Sequence, residues 1–212
     1  MSSQRIFYAV LLLSVAPLVV ACKSSSPTPA QPPEHTLSGL AAQHVVILPT
    51  YIVRVVPGLG WTLPRSAEIG RTQDADIAAA FADHAIRTWI MPSGLDSAYR
   101  RNPTYATDPH TLAEEPLRSP SLGIDQRLPE PIASQLRTLI ALHDDTRLVL
   151  APVELRFEPT TGGGHGVLRL VLVDARASSV RWIGEVTSDP APAFGPAITA
   201  SIAAKLSALI AP

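Results

Sequence analysis

Apolar residues recur every three or four positions in three stretches of this chain, and every second position in several others. Residues 74–91 set Ile77, Phe81, Ala85 and Trp89 four apart. That spacing predicts an amphipathic helix with Asp74 and Asp76 near its positive amino end and Pro92 as its stop. Residues 130–143 place Ile132, Leu136, Leu139 and Ile140 on one face, with Pro131 in the first turn. Residues 194–210 carry Phe194, Ile198, Ile202, Leu206 and Leu209 as a stripe among alanines. The stripe reads as a packing face, because a helix lying on a membrane would want Lys or Arg along its polar side and only Lys205 is there.

Period-two and β-branched runs predict the strands. His44–Pro49 and Tyr51–Val56 form one such run, broken at Pro49-Thr50. Residues 147–158 end in alternation, Val153, Leu155 and Phe157 against Glu154, Arg156 and Glu158. Gly162–Gly166 reads as a flexible hairpin loop into Val167–Asp174, and Asp174–Ser179 as a turn into Val180–Val186. Leu168, Leu170 and Leu172 are expected on one face of their strand, and Val180, Trp182 and Val186 on one face of the next. The order is that of an α+β fold: a mixed β-sheet with a C-terminal antiparallel meander, packed by about three helices, the last covering the meander.

The amino terminus follows different rules. After Met-Ser-Ser-Gln-Arg5, residues 6–20 are almost wholly apolar and end at Ala21-Cys22. A charged start, a short apolar core and a small residue at the end make a secretory signal, and the run is short of the roughly 18–20 residues that span a bilayer. Leu18-Val-Val-Ala21-Cys22 resembles the bacterial lipobox, with Val19 where Leu is commoner. The resemblance implies removal of residues 1–21 and lipid on Cys22, which is the sole cysteine. The alternatives are an ordinary cleaved signal that leaves a free thiol, or an uncleaved anchor. Residues 22–36 are Pro/Ser-rich and read as a solvated tether reaching on the order of 40 Å. Residues 37–212 are then one globular α+β domain. Lys23, where Asp would favour inner-membrane retention, resembles an outer-membrane destination.

Composition narrows the field further. With 46% hydrophobic and 17% charged residues the chain is globular. Taking residues 1–21 from 212 leaves 191, enough for one domain with a sizeable core. A formal net charge of −1 without a basic stretch argues against a nucleic-acid partner. One cysteine excludes an intramolecular disulfide and any multi-cysteine metal site.

Catalytic signatures are missing from the sequence. It has no Gly-x-Ser-x-Gly and no Ser-x-x-Lys, and the Gly162–Gly166 run lacks the Lys-Ser/Thr of a phosphate loop. Asp108-Pro-His110 and His143-Asp-Asp145 hold ligand types without a second local cluster, so no metal and no cofactor is expected. Glu114-Glu115 and Asp144-Asp145 read as solvated loop charges. His35 and His165 are expected in solvent.

Residues 92–128 form a long stretch without readable elements. Within it Tyr99, Arg100, Arg101 and Tyr105 are of the types enriched where proteins dock. Two readings stay open: a protein-binding segment, or tyrosines covering the sheet edge while the arginines pair with nearby acids.

His44-Val-Val-Ile-Leu-Pro49 opening a helix-backed sheet, with Val171-Leu-Val-Asp174 and Ser179-Val-Arg-Trp182-Ile-Gly184-Glu-Val, is similar to a family of bacterial envelope lipoproteins. That family shares its fold with the amino-terminal domain of TolB and the curli-secretion lipoprotein, and includes activators of penicillin-binding proteins. The resemblance implies a non-catalytic, membrane-anchored protein in the periplasm that binds another envelope protein. A small-ligand-binding or hydrolytic periplasmic enzyme is the alternative, and a cleft with converging polar groups is what would favour it.

Overall fold

The computed structural model describes residues 37–143 and 145–211. Its centre is β3 (Leu148–Thr160), hydrogen-bonded along one edge to β4 (Gly163–Asp174), which pairs in turn with β5 (Ser179–Thr187), all antiparallel. The other edge of β3 is shared by two short parallel strands laid end to end, β1 (Val45–Ile47) opposite Leu148–Leu150 and β2 (Val53–Val55) opposite Leu155–Phe157. Proline has no N–H for a ladder, so the run breaks at Pro49. Leu48 N to Leu150 O and Leu155 N to Ile52 O, 2.9 and 2.8 Å, hold the two pieces on the same edge. Gly162 takes φ +83° in the tight β3–β4 turn, so β4 begins at Gly163 and not after a long loop.

Helices cover both faces of this mixed sheet. On one face α1 (Ser66–Asp83) and α4 (Pro196–Ile210) lie over Leu150, Leu155, Phe157, Leu168, Leu170 and Leu172. On the other, α2 (Pro92–Arg101) and α3 (Ile132–Ile140) cover Val46, Leu48, Val149, Ala151, Val171 and Val173. The α+β class and the covering of the meander by the last helix are as the pattern predicts. Ile198, Ile202, Leu206 and Ile210 of α4 are at most 1% exposed, each burial stabilising by about 1.5–3 kcal/mol. With four helices in place of three, β3 and β4 are apolar on both sides for much of their length, as strands sandwiched by helices must be.

Two bulges reassign side chains that strict alternation had placed together. Between Pro152 and Glu154 the β3–β4 register slips, so Val153 joins the α2/α3 face while Leu155 and Phe157 stay on the α1/α4 face. Between Leu172 and Val173 of β4, partners step from Trp182 to Val180, and Val180 turns to the opposite face from Trp182 and Val186. One extra residue flips everything beyond it, which is why the expected single-face sets divide.

The helix expected at 74–91 begins eight residues earlier and ends at Asp83. His84 donates its N–H to Ala80 O, and Ala85 at φ +55° reverses the chain. Trp89 still reaches the core: its ring meets Phe81 edge-on at 5.1 Å and its Nε1 donates to Leu40 O. Ile90 then bridges Val46 as an added edge to the sheet, with Ile47 N and Ile90 N bonded to Ile90 O and Val45 O. Pro92 starts α2 where a stop was expected, since its fixed φ and missing N–H suit the first helical position.

Candidate functional site

The 92–128 stretch is thus helical over Pro92–Arg101, with one 3-10 turn at Glu115–Arg118 and turns and coil over most of the rest. Tyr99, Arg100 and Arg101 form the last turn of α2, where two cations suit the negative end of the helix. Arg100 and Arg101 are exposed and make no ion pair with the described residues; Arg100 Nη2 donates to Ser97 Oγ at 3.3 Å. Tyr99 is half-buried in a crevice with Leu95, Ala106 and Leu142, whereas Tyr105 is 78% exposed. The expected pairing of the arginines with neighbouring acids is not found among the described residues. Cys22, the tether and His35 lie outside the described residues.

Sequence reasoning missed a cleft of about 700 Å³ at the carboxyl end of β1, between α1 and the start of α2. Its shape begins at Gly70, where a Cβ would lie 2.7 Å from Thr50 O. Without that side chain α1 seats directly on the β1 exit, and Asp74, one turn on, reaches Thr50. Asp74 Oδ1 accepts from Thr50 N at 2.9 Å and from Thr50 Oγ1 at 2.7 Å. Burial raises the Asp74 pKa to about 6, although both Thr50 bonds act the other way. From the facing side Asp96 of α2 bonds His110 Nε2 at 2.8 Å. His110 is held by its own N–H on Asp108 Oδ1 and lies against the Tyr51 ring, 6.2 Å between centroids. Among the described residues no three acidic, His or Cys side chains come together to hold a metal ion.

On the far side of Tyr51 lies a second departure from expectation. Glu114, read as a solvated loop charge, is 6% exposed, and neither carboxyl oxygen accepts a hydrogen bond from the described residues. Burial raises its pKa to about 8, with Arg118 pulling the other way. The buried Tyr51 hydroxyl beside it is pushed up as well, first by burial and then by Glu114. His165, expected in solvent, lines up in the sheet 3.5 Å from Glu158. Glu158 belongs to a charged ladder in which Arg156 holds Glu158 at 2.5 Å and Glu185 through both η nitrogens at 2.9 and 2.8 Å.

No family model and no curated protein matches the chain. Solved structures with a similar layout include a PelC dodecamer from Paraburkholderia phytofirmans, at 14% identity over 81% of this chain and 90% of that one, TM-score 0.39. Another is the LpoB C-terminal domain from Escherichia coli, at 16% identity over 71% and 86%, TM-score 0.39. A third is the hypothetical protein CT253 from Chlamydia trachomatis, at 15% identity over 68% and 70%, TM-score 0.29. Structural neighbours therefore include an LpoB domain, while the expected likeness to TolB is not confirmed. These are likenesses of layout alone.

Proposed function

We propose that this chain is a lipoprotein of the bacterial envelope, anchored through lipid on Cys22 and facing the periplasm, whose tethered domain binds another protein without catalysing a reaction.

 
The observation that carries this reading is the placement of the sole cysteine, directly after a small residue at the end of the apolar run. A lipid chain contributes about 0.8 kcal/mol per buried CH₂, so affinity for the bilayer resides in Cys22. The 22–36 tether then stands the domain off the membrane, and Lys23 supports the outer membrane as the destination. The surface best suited to a protein partner is the end of α2, where Arg100, Arg101 and Tyr105 are exposed and Tyr99 is half-buried. The near-neutral net charge of −1 does not favour nucleic acid.

Two measurements test the proposal. Cys22→Ser is expected to lose labelled palmitate and move from the membrane fraction to the soluble one; a serine variant that stays membrane-bound refutes the anchor. Arg100→Ala/Arg101→Ala is expected to reduce capture of the partner from envelope extracts, identified by mass spectrometry, by on the order of tenfold or more. Its thermal midpoint should stay at the wild-type value, since neither arginine is bonded to an acid among the described residues. Unchanged capture assigns these residues no part in docking.

A further inference from the structure

Seven polar side chains from four separate segments border the cleft at the end of β1, among them Tyr51, Arg71, Asp74, Ser93, Asp96 and His110. What they leave unused is informative. Arg71 makes no hydrogen bond or ion pair with the described residues and is exposed. Asp74 spends Oδ1 on Thr50, and Asp96 spends Oδ1 on His110, so each keeps Oδ2 unbonded among the described residues. The walls between them are small: Ala67, Ala75 and Ala78 of α1 face Met91 and Pro92. The volume, about 700 Å³, falls within the range of small-ligand sites.

We propose that this cleft binds a small zwitterion of dipeptide size, its carboxylate on Arg71 and its ammonium between Asp74 and Asp96. The charge pattern selects that class. Arg71 and Asp74 stand three residues apart on one helix face, about 5–6 Å between Cβ atoms, and Asp96 faces them from α2. A purely anionic ligand would set its charge against two carboxylates, and a purely cationic one would leave Arg71 unmatched. The other large hollow, about 540 Å³ beside Arg147 and Asp174, lacks this property. There Arg147 Nε is spent on Asp174 at 2.6 Å and Arg181 is paired with Asp125. The cleft residues are distinct from the proposed docking residues at the end of α2, so either reading can fail alone.

Isothermal titration of the purified full-length lipoprotein in detergent, with alanyl-alanine as the probe, tests the site. Saturable binding is expected, with N-acetylalanine, which lacks the ammonium, and alaninamide, which lacks the carboxylate, each weaker by about tenfold or more. Arg71→Ala should bring alanyl-alanine down to the alaninamide level and leave alaninamide unchanged. Asp74→Asn, which keeps the acceptor for Thr50, and Asp96→Asn should bring it down to the N-acetylalanine level. The proposal is overturned if alanyl-alanine shows no saturable heat up to about 10 mM, a concentration at which even weak sites fill. It is equally overturned if either single-charge analogue binds as tightly as the dipeptide, or if Arg71→Ala weakens alaninamide as much as alanyl-alanine.

Discussion

Glu114 is a carboxyl group that the fold keeps from water without a hydrogen-bond partner among the described residues, and it should make the protein lose stability as pH rises. The unfolded chain releases this proton near the ordinary 4.5, the folded protein only near 8. Between those values the folded state holds the extra proton, so stability is fully present below about 4.5 and is lost as pH climbs through 8. Worked through the linkage relation, the loss between pH 5 and pH 8 is about 3.5 kcal/mol, against a total of roughly 5–15 kcal/mol for an ordinary domain. Asp74, raised from 3.8 to about 6, adds a loss of the same sign. Because its folded value is lower, its share over that range is smaller, about 1.4 kcal/mol.

Glu114→Gln keeps the shape and cannot ionise, so it removes the first contribution and leaves the second. The amide has its own buried groups to satisfy, at a cost of about 1–3 kcal/mol, but that cost is the same at every pH. The slope is therefore the readout and not the absolute stability. Urea unfolding followed by circular dichroism at pH 5, 6, 7 and 8 should give a wild-type curve falling about 3.5 kcal/mol further than that of the variant. Parallel curves, within about 0.5 kcal/mol, would mean that Glu114 ionises in the folded protein as it does in water. The reasoning from burial would then be refuted.

Two further outcomes follow from the architecture. Ile202→Ala, at a fully buried α4 position whose Cδ1 lies 3.0 Å from where a Gly166 Cβ would stand, should cost about 2–5 kcal/mol by the same urea assay; a cost under about 1 kcal/mol would mean that α4 is not seated on the sheet. Removing residues 1–36 should leave a soluble protein with one cooperative thermal transition, because both core clusters begin at or after Leu37; absence of a transition by calorimetry would move the domain boundary upstream.

The strands were legible because burial imposes a period of two and β-branched residues satisfy it, so β1 through β5 all fall within a few residues of where the pattern puts them. The bulges were not, because a bulge is a fact about two strands. Nothing in Pro152-Val153-Glu154 alone says that β4 supplies one residue fewer. α2 was hidden for a compositional reason. Pro92-Ser93-Gly94 reads as loop, and with only Leu95, Ala98 and Tyr99 to mark its inner face the helix is too short for periodicity to show. α1 was recognised but misplaced, since Arg71, Thr72 and Gln73 interrupt the apolar spacing between Ile69 and Ile77. Gln73 is nonetheless fully buried, its amide donating to Thr199 O in α4.

The candidate residues divide along the same line. Tyr99, Arg100, Arg101 and Tyr105 could be chosen by residue type, because exposure is a local property that polar composition signals. Asp74, Asp96 and His110 could not be grouped, since what joins them is the seating of one helix and the start of another against the exit of β1. Asp74 was instead assigned to a helix amino end, where an acid needs no other explanation. Two local irregularities did mark the place. One is Pro49-Thr50, which breaks a run of β-branched residues and so frees a backbone N–H that some group must accept. The other is Gly70 inside a helical segment, where it costs about 1 kcal/mol relative to alanine unless a close approach requires it. The structure joins them: Gly70 meets Thr50, and Asp74 accepts the Thr50 N–H one turn later. Each irregularity alone reads as a turn or a weak helix. Together, at a spacing where a helix following a strand folds back on it, they specify a backbone contact, and beside that contact, at the end of β1, the cleft opens.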